Sequence, residues 1–297
     1  MHILITGGTG FIGSALCPAL LSDGHVLTLL TRRPAKAKAR YGAAVTAIAR
    51  LEELPAGPVD AVINLAGEGI ADRPWTAARK QALFESRVTL TRELVELLAG
   101  RRQSPRVMIS GSAVGWYGDQ GDTPLTEGDS PHPEYTHELC DAWERAARGA
   151  ATLGTRLCLL RIGVVLARDG GMLKRLLPVF RAGLGGRIAS GRQWLSWIAR
   201  DDLVALIRRL LADESLSGVF NATAPAPVTN ADFTRTLASV LRRPALVPVP
   251  ALALKLSLGE MSGLLLGGQK VLPARLTALG FAYKAPTLAE CLRQELR

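Results

Sequence analysis

The opening MHILITGGTGFIG constrains the fold more than any other stretch of the chain. Ile3, Leu4 and Ile5 form an apolar run of strand length, Gly7, Gly10 and Gly13 follow at G-x-x-G-x-x-G spacing, and residues 11–21 carry apolar side chains at helical intervals. The stretch reads as a strand, a tight turn and the start of a helix. In that setting the glycines have a physical reason. A dinucleotide pyrophosphate lies against bare backbone N–H groups at the positive end of a helix, and a Cβ would hold it off. The spacing differs from the G-x-G-x-x-G of ordinary dehydrogenases, but a strand before and a helix after are the context in which such a turn cradles a dinucleotide.

Composition sets bounds on the rest. With 297 residues, 48% of them hydrophobic, the chain can fill one large domain or a domain with a smaller cap. Cys17, Cys140, Cys158 and Cys291 lie far apart with no C-x-x-C pair, which indicates neither a disulfide framework nor a metal site and fits a reducing, cytoplasmic setting. The chain enters a strand at once, so no signal peptide is expected. The apolar stretch 245–268 is interrupted by Pro248, Pro250, Lys255 and Glu260 and is expected as a buried helix, since a membrane span needs about 20 mostly apolar residues. The net charge of +10 is scattered rather than gathered into a block, which favours an arginine-rich surface and a phosphorylated cofactor over a nucleic-acid partner.

Residues 25–31 (HVLTLLT) read as a second strand, ended by Arg32-Arg33-Pro34. In a dinucleotide fold this strand end faces the adenine ribose, where an acidic residue selects a free 2′-hydroxyl and arginine accommodates a 2′-phosphate. The position has no Asp or Glu, so NADP(H) is expected rather than NAD(H), with Thr31, Arg32 and Arg33 at the phosphate; the alternative is two solvated arginines. Residues 59–67 (VDAVINLAG) form a buried strand ending in small residues that let backbone approach a ribose. Helical spacing then runs through 73–100, with Leu90, Leu94, Leu97 and Leu98 as the inward stripe and Arg87 as either a phosphate contact or a solvated charge.

A strand at 106–112 ends in Ser110 and Ser112, a helix follows at 138–153, and 156–166 reads as a further strand. The alternation argues for an α/β fold, a Rossmann-like doubly wound parallel sheet, with a smaller C-terminal substrate or lid domain. Residues 1–167 are expected to form the NADP-binding domain, with 195–226 returning to it; 168–194 and 227–297 are expected to form the smaller domain. The glycine-rich 170–191 region is where a small-molecule substrate pocket is expected.

Several strings carry a resemblance. TGGTGFIG, INLAG, a serine-bearing strand end followed by Tyr117-Gly118-Asp119, and WIARDDLV resemble the extended short-chain dehydrogenase/reductases. NLAGEGI, W-T-x-x-R-K-x-x-x-x-x-S-R from Trp75 to Arg87, SGSAVGWYGD, GLGGRIASGRQWLSWI, NATAPAPVTNADFTRTLA and GEMSGLLLGGQKVLPARL narrow the likeness. They resemble the atypical epimerase-family branch, often labelled nucleoside-diphosphate-sugar epimerase or cell-division-inhibitor-like. The resemblance implies NADP(H) contacts at Gly7, Gly10, Phe11, Ile12 and Gly13, at Thr31 and Arg32, at Leu65 and Ala66, and at Arg87. It does not supply a reaction, because fold does not fix chemistry.

Active members of that superfamily use Ser, Tyr and Lys, the last two as Y-x-x-x-K one helical turn apart. The corresponding segment here is EYTHELCDAWE, residues 134–144. Tyr135 is followed four residues on by Leu139; if Glu144 is matched to the superfamily's glutamate instead, Thr136 and Cys140 fall at the tyrosine and lysine positions. The lysine is absent in either register. Ser112 either orients a substrate oxygen or ends its strand with local hydrogen bonds. Tyr117, Tyr135, His137 and Glu138 are the replacement acid/base candidates. Trp194 and Trp197, beside Gly191-Arg192-Gln193, either line an apolar pocket or belong to the core. The expected activities are therefore an oxidoreductase or epimerase on a small hydroxyl or carbonyl compound, a sugar nucleotide included, or a cofactor-binding regulator without turnover.

Overall fold

The computed structural model describes residues 1–297. Its strands in chain order are β1 (His2–Thr6), β2 (Val26–Leu30), β3 (Val45–Ile48), β4 (Ala61–Asn64), β5 (Val107–Ala113), β6 (Pro124–Leu125), β7 (Arg156–Ile162), β8 (Val164–Leu166), β9 (Trp194–Leu195), β10 (Trp197–Ala199), β11 (Gly218–Ala222), β12 (Val228–Thr229) and β13 (Lys270–Val271). Between and after them run α1 (Gly13–Ser22), α2 (Pro34–Tyr41), α3 (Ala77–Phe84), α4 (Leu90–Ala99), α5 (Tyr135–Arg148), α6 (Gly171–Arg181), α7 (Arg200–Ala212), α8 (Asn230–Leu241) and α9 (Ala251–Leu258). Three short C-terminal helices follow: α10 (Gly263–Leu266), α11 (Ala274–Ala278) and α12 (Leu288–Glu295).

Seven strands form one parallel sheet in the order β11-β7-β5-β4-β1-β2-β3. The strands are apolar almost throughout because helices cover both faces. Alternate residues serve the two faces: Ile3, Ile5, Ile63 and Ile109 enter one core with Leu203, Ile207 and Leu210 of α7, while Leu4, Val62 and Met108 enter the other with Leu94 and Leu98 of α4. The chain starts in the middle, builds outward through β2 and β3, then returns to build the other half from β4. That reversal opens a crevice at the C-terminal ends of β1 and β4, where a doubly wound sheet binds its ligand.

A second core joins Leu173, Leu177 and Phe180 of α6, Phe233 and Leu237 of α8, and Leu288, Cys291 and Leu292 of α12, with Trp197 and Ala199 at the seam. Part of the C-terminal segment returns to the large sheet: Leu276 of α11 is buried in the main core, and Phe281 and Tyr283 pack against it.

Three local readings change. The run 156–166 is two strands, because the chain leaves the sheet at Gly163, where a Cβ would lie 2.7 Å from the Ser196 carbonyl oxygen; β8 then pairs with β10. β3 is an additional strand, a four-residue edge too short to stand out by pattern. The stretch 245–268 is not a buried helix: α9 is eight residues long with no buried residue, and Leu246, Leu252 and Leu256 are exposed. Pro248 and Pro250 delay the helix start, and most of the residues of α9 stay exposed. No helix is long and apolar enough to cross a membrane.

Candidate functional site

The glycine turn is shaped by contacts that leave no room for side chains. Gly7 has φ +72°, and a Cβ there would lie 2.6 Å from the Leu65 carbonyl oxygen; one on Gly13 would lie 2.6 Å from Gly8 Cα. Helix α1 begins at Gly13 with no side-chain cap and no acid in its first turn. The amides of Phe11, Ile12 and Gly13 have no protein acceptor. Unpaired N–H groups at a helix N-terminus fit an anion, and the donor set suits a pyrophosphate.

The turn forms one wall of a cleft of about 990 Å³. Gly7, Gly10, Phe11, Ile12, Gly13, Thr31, Arg32, Leu65 and Ala66 all line it, joined by Glu68 and by Ser86 from the opposite wall. The amides of Leu65 and Ala66 both donate to Thr6 Oγ1 at 3.1 Å, and that hydroxyl donates to Asn64 Oδ1 at 2.7 Å. Asn64 in turn donates to Thr91 Oγ1 at 2.8 Å and Ser110 Oγ at 3.1 Å. This buried network ties the ends of β1, β4 and β5 together, so the loop after β4 is held at a fixed height over the cleft.

At the β2 end, Arg32 reaches into solvent and pairs with Glu68 at 2.6 Å; Arg79 holds the other carboxylate oxygen at 3.1 Å. Arg79 and Arg32 together keep the Glu68 carboxyl below the usual range. Sequence inspection found no acid at the end of β2, and none is there. Glu68 arrives from the loop after β4, which only the sheet order brings beside the end of β2.

Arg87 does not line the cleft. Its guanidinium turns to the back of the β4 loop, donating to the Glu68 carbonyl oxygen at 2.7 Å and the Leu83 carbonyl oxygen at 3.3 Å. Burial pushes its pKa down.

The acid/base candidates separate. Ser112 is buried and donates to Glu144 Oε1 at 2.8 Å. Tyr117 is corrected: it is fully buried and its hydroxyl donates to Asn221 Oδ1 at 2.7 Å, so it braces β11 rather than facing a substrate. Trp197 is core, while Trp194 is partly exposed and donates to Asp122. Tyr135 opens α5 against Trp75, ring centroids 4.8 Å apart, with Lys80 Nζ 4.4 Å from its ring. Its hydroxyl is buried without a partner, and burial raises the phenol pKa. Glu144 is tied to Arg161 in the sheet, and Thr136 and Cys140 are both buried on the same helix; burial pushes the Cys140 thiol up to about 12.

Residues 3–222 match the NAD dependent epimerase/dehydratase family, and residues 249–295 match a Domain of unknown function (DUF1731). Epimerase family protein MT2273 of Mycobacterium tuberculosis is 40% identical over 293 residues, covering 98% of this chain and 96% of that protein. The Arabidopsis thaliana protein named Epimerase family protein SDR39U1 homolog, chloroplastic, is 39% identical over 301 residues, covering 99% and 86%. Human epimerase family protein SDR39U1 (isoform 2), crystallised with NADPH, superposes with a TM-score of 0.90 at 34% identity, each chain covered to 99%.

Proposed function

We propose, from the premise that the chain belongs to the NAD dependent epimerase/dehydratase family, that it is an NADP(H)-dependent enzyme acting on a small hydroxyl- or carbonyl-bearing compound. Oxidoreductase and epimerase chemistry both fall within this reading, and a sugar nucleotide falls within the substrate class. The observation that carries it is the cleft itself: three unpaired amides at a helix N-terminus, with Thr31 and Arg32 at the far end. Those amides would hold the pyrophosphate, Thr31 and Arg32 the 2′-phosphate, and Leu65 and Ala66 the ribose. The NADPH bound by the human relative supports the same assignment. When bound, the reduced nicotinamide supplies a hydride.

The chain's own part is to orient the substrate and to hold or move a proton. Tyr135 is the group that suits the second task, because its hydroxyl has no protein partner to lose. Ser112 suits the first only through the oxygen lone pair left free of Glu144.

A second reading, a redox-responsive NADP(H)-binding protein without turnover, draws on the missing lysine: Leu139 stands four residues after Tyr135, and in the register set by Glu144 Cys140 stands four after Thr136. One experiment separates the two. The purified protein is loaded with NADPH and offered a panel of aldehydes, ketones and keto-sugars while the absorbance of the reduced nicotinamide is followed. Oxidation by one compound class establishes the enzyme and its substrate; tight NADPH binding with no oxidation across the panel favours the regulator.

A further inference from the structure

Arg32 is the single cation among the side chains that line the cleft, and it shares that lining with three carboxylates, Glu68, Glu85 and Glu93. Its neighbour Arg33 stays outside. The Arg32 side chain is 90% exposed and has one partner in the protein, the Glu68 carboxylate, which accepts from Nη1 at 2.6 Å. It therefore reaches from the end of β2 to the loop after β4, with Nε and Nη2 unpaired.

Glu68 is far less free. Its amide donates to Ser86 Oγ at 3.1 Å and its carbonyl oxygen accepts from Arg87 Nη2 at 2.7 Å, both partners belonging to the π-helical turn Glu85–Thr89. Its second carboxylate oxygen is held by Arg79 at 3.1 Å, and Arg79, 10% exposed, is itself tied to the Gly69 carbonyl oxygen at 2.6 Å. The carboxylate is thus fixed in place, and Arg32 is the movable member of the pair.

A 2′-phosphate arriving at Arg32 meets this carboxylate in either of two ways. If it takes Nη1, it displaces Glu68. If it takes the free Nε and Nη2 edge, the forked geometry that suits a phosphate, two anions flank one guanidinium and repel each other at short range. Either way an anion already stands beside the one cation that the cleft offers.

We propose that Glu68 is a specificity-determining residue of the cofactor cleft: a carboxylate, brought from the loop after β4, that competes with the 2′-phosphate for Arg32 and so limits the preference for NADPH over NADH. On binding, Arg32 passes wholly or in part to the phosphate while Arg79 keeps the carboxylate. The proposal rests on the reading that Arg32 takes the 2′-phosphate and deepens it by naming the group that opposes it.

The test is a fluorescence titration of NADPH and NADH on the full chain as wild type, Glu68→Gln, Arg32→Ala and the double variant, with thermal unfolding to show that each is folded. Glu68→Gln keeps the shape of the side chain and an acceptor for Arg79 but removes the charge. An exposed ion pair is worth little, so NADPH should bind roughly three- to fivefold tighter, while NADH, which has no 2′-phosphate, should move by less than about twofold. In the Arg32→Ala background the same replacement should bring no gain, the signature of competition for one guanidinium. Unchanged or weaker NADPH binding in folded Glu68→Gln overturns the proposal; weaker binding would mark Glu68 as a support for Arg32 or for its loop. An equal gain for both cofactors, or a gain that persists without Arg32, overturns it too. If Glu68→Gln does not fold, Glu68→Ala and its double variant with Arg32→Ala are read in the same way. A wild type that prefers NADPH, with Glu68→Gln unmoved, overturns this proposal alone; a wild type that does not distinguish the two dinucleotides overturns the 2′-phosphate reading and the proposal with it.

Discussion

Glu144 and Arg161 form the one ion pair in which both side chains are buried, 1% and 3% exposed, with Nε to Oε1 at 2.9 Å and Nη2 to Oε2 at 3.2 Å. Ser112 donates to the same Oε1, so the pair links α5 to β5 and β7 just where those strands end. Glu144→Ala strands a buried guanidinium and should cost about 3–5 kcal/mol in urea unfolding. The double variant Glu144→Leu with Arg161→Met should regain most of that loss. A single-variant cost under about 1 kcal/mol would mean water reaches Arg161.

Arg32 should set the choice of dinucleotide. Loss of a charge-assisted contact worth about 1.5–3 kcal/mol predicts that Arg32→Ala weakens NADPH binding roughly tenfold to a hundredfold and leaves NADH nearly unchanged. Fluorescence titration of both cofactors measures it. Equal affinity of the wild type for the two, or equal loss in the variant, would remove the 2′-phosphate from this end of the cleft.

Gly13→Ala places a methyl group against Gly8 and the Gly7 carbonyl, at the contact between α1 and the turn. Overpacking of this kind costs about 1–3 kcal/mol, and displacement of the three free amides should abolish measurable NADPH binding. Calorimetric titration together with thermal unfolding tests both parts; wild-type affinity in a folded variant would show that the turn does not hold the pyrophosphate.

The four cysteines are all buried free thiols, so dithionitrobenzoate at pH about 8 should react with none in the native protein and with all 4 after denaturation. Burial raises Cys17 to about 11 and Cys140 and Cys291 to about 12 from an ordinary 9.0. Between those values the folded thiol keeps its proton while the unfolded one loses it. The stability they contribute is therefore full below about pH 9 and falls as pH rises toward 12, each thiol adding a slope of up to about 1.4 kcal/mol per pH unit. Chemical-denaturant melts between pH 7 and about 10.5 should show the decline; a flat profile would mean the thiols ionise in place.

Tyr117→Phe removes a buried hydrogen bond to Asn221 and should cost about 1 kcal/mol while leaving NADPH affinity and any carbonyl reduction unchanged. A loss of turnover beyond what the lower stability explains would return Tyr117 to the site.

The opening stretch and the order of strands and helices were legible because they rest on local physics. Gly7 and Gly13 announce a turn without side chains, and the alternation of apolar runs announces a parallel sheet. Which candidate hydroxyl is spent on a structural hydrogen bond was not legible. Tyr117 and Tyr135 look alike in the sequence; one is spent on Asn221 at 0% exposure and the other keeps a free hydroxyl.

What the sequence determines by itself is the glycine turn and its cofactor class, because the reasons lie within a few residues of each other: a missing Cβ, a helix N-terminus, an arginine at a strand end. Tertiary structure alone decides which charges remain available. Glu68 meets Arg32 across 36 residues and Lys80 meets Glu260 across 180, while Arg87 is left without a carboxylate and donates to the Leu83 and Glu68 carbonyl oxygens. Ion pairing depends on distances of a few ångströms between elements brought together by the sheet, and no local pattern encodes those distances.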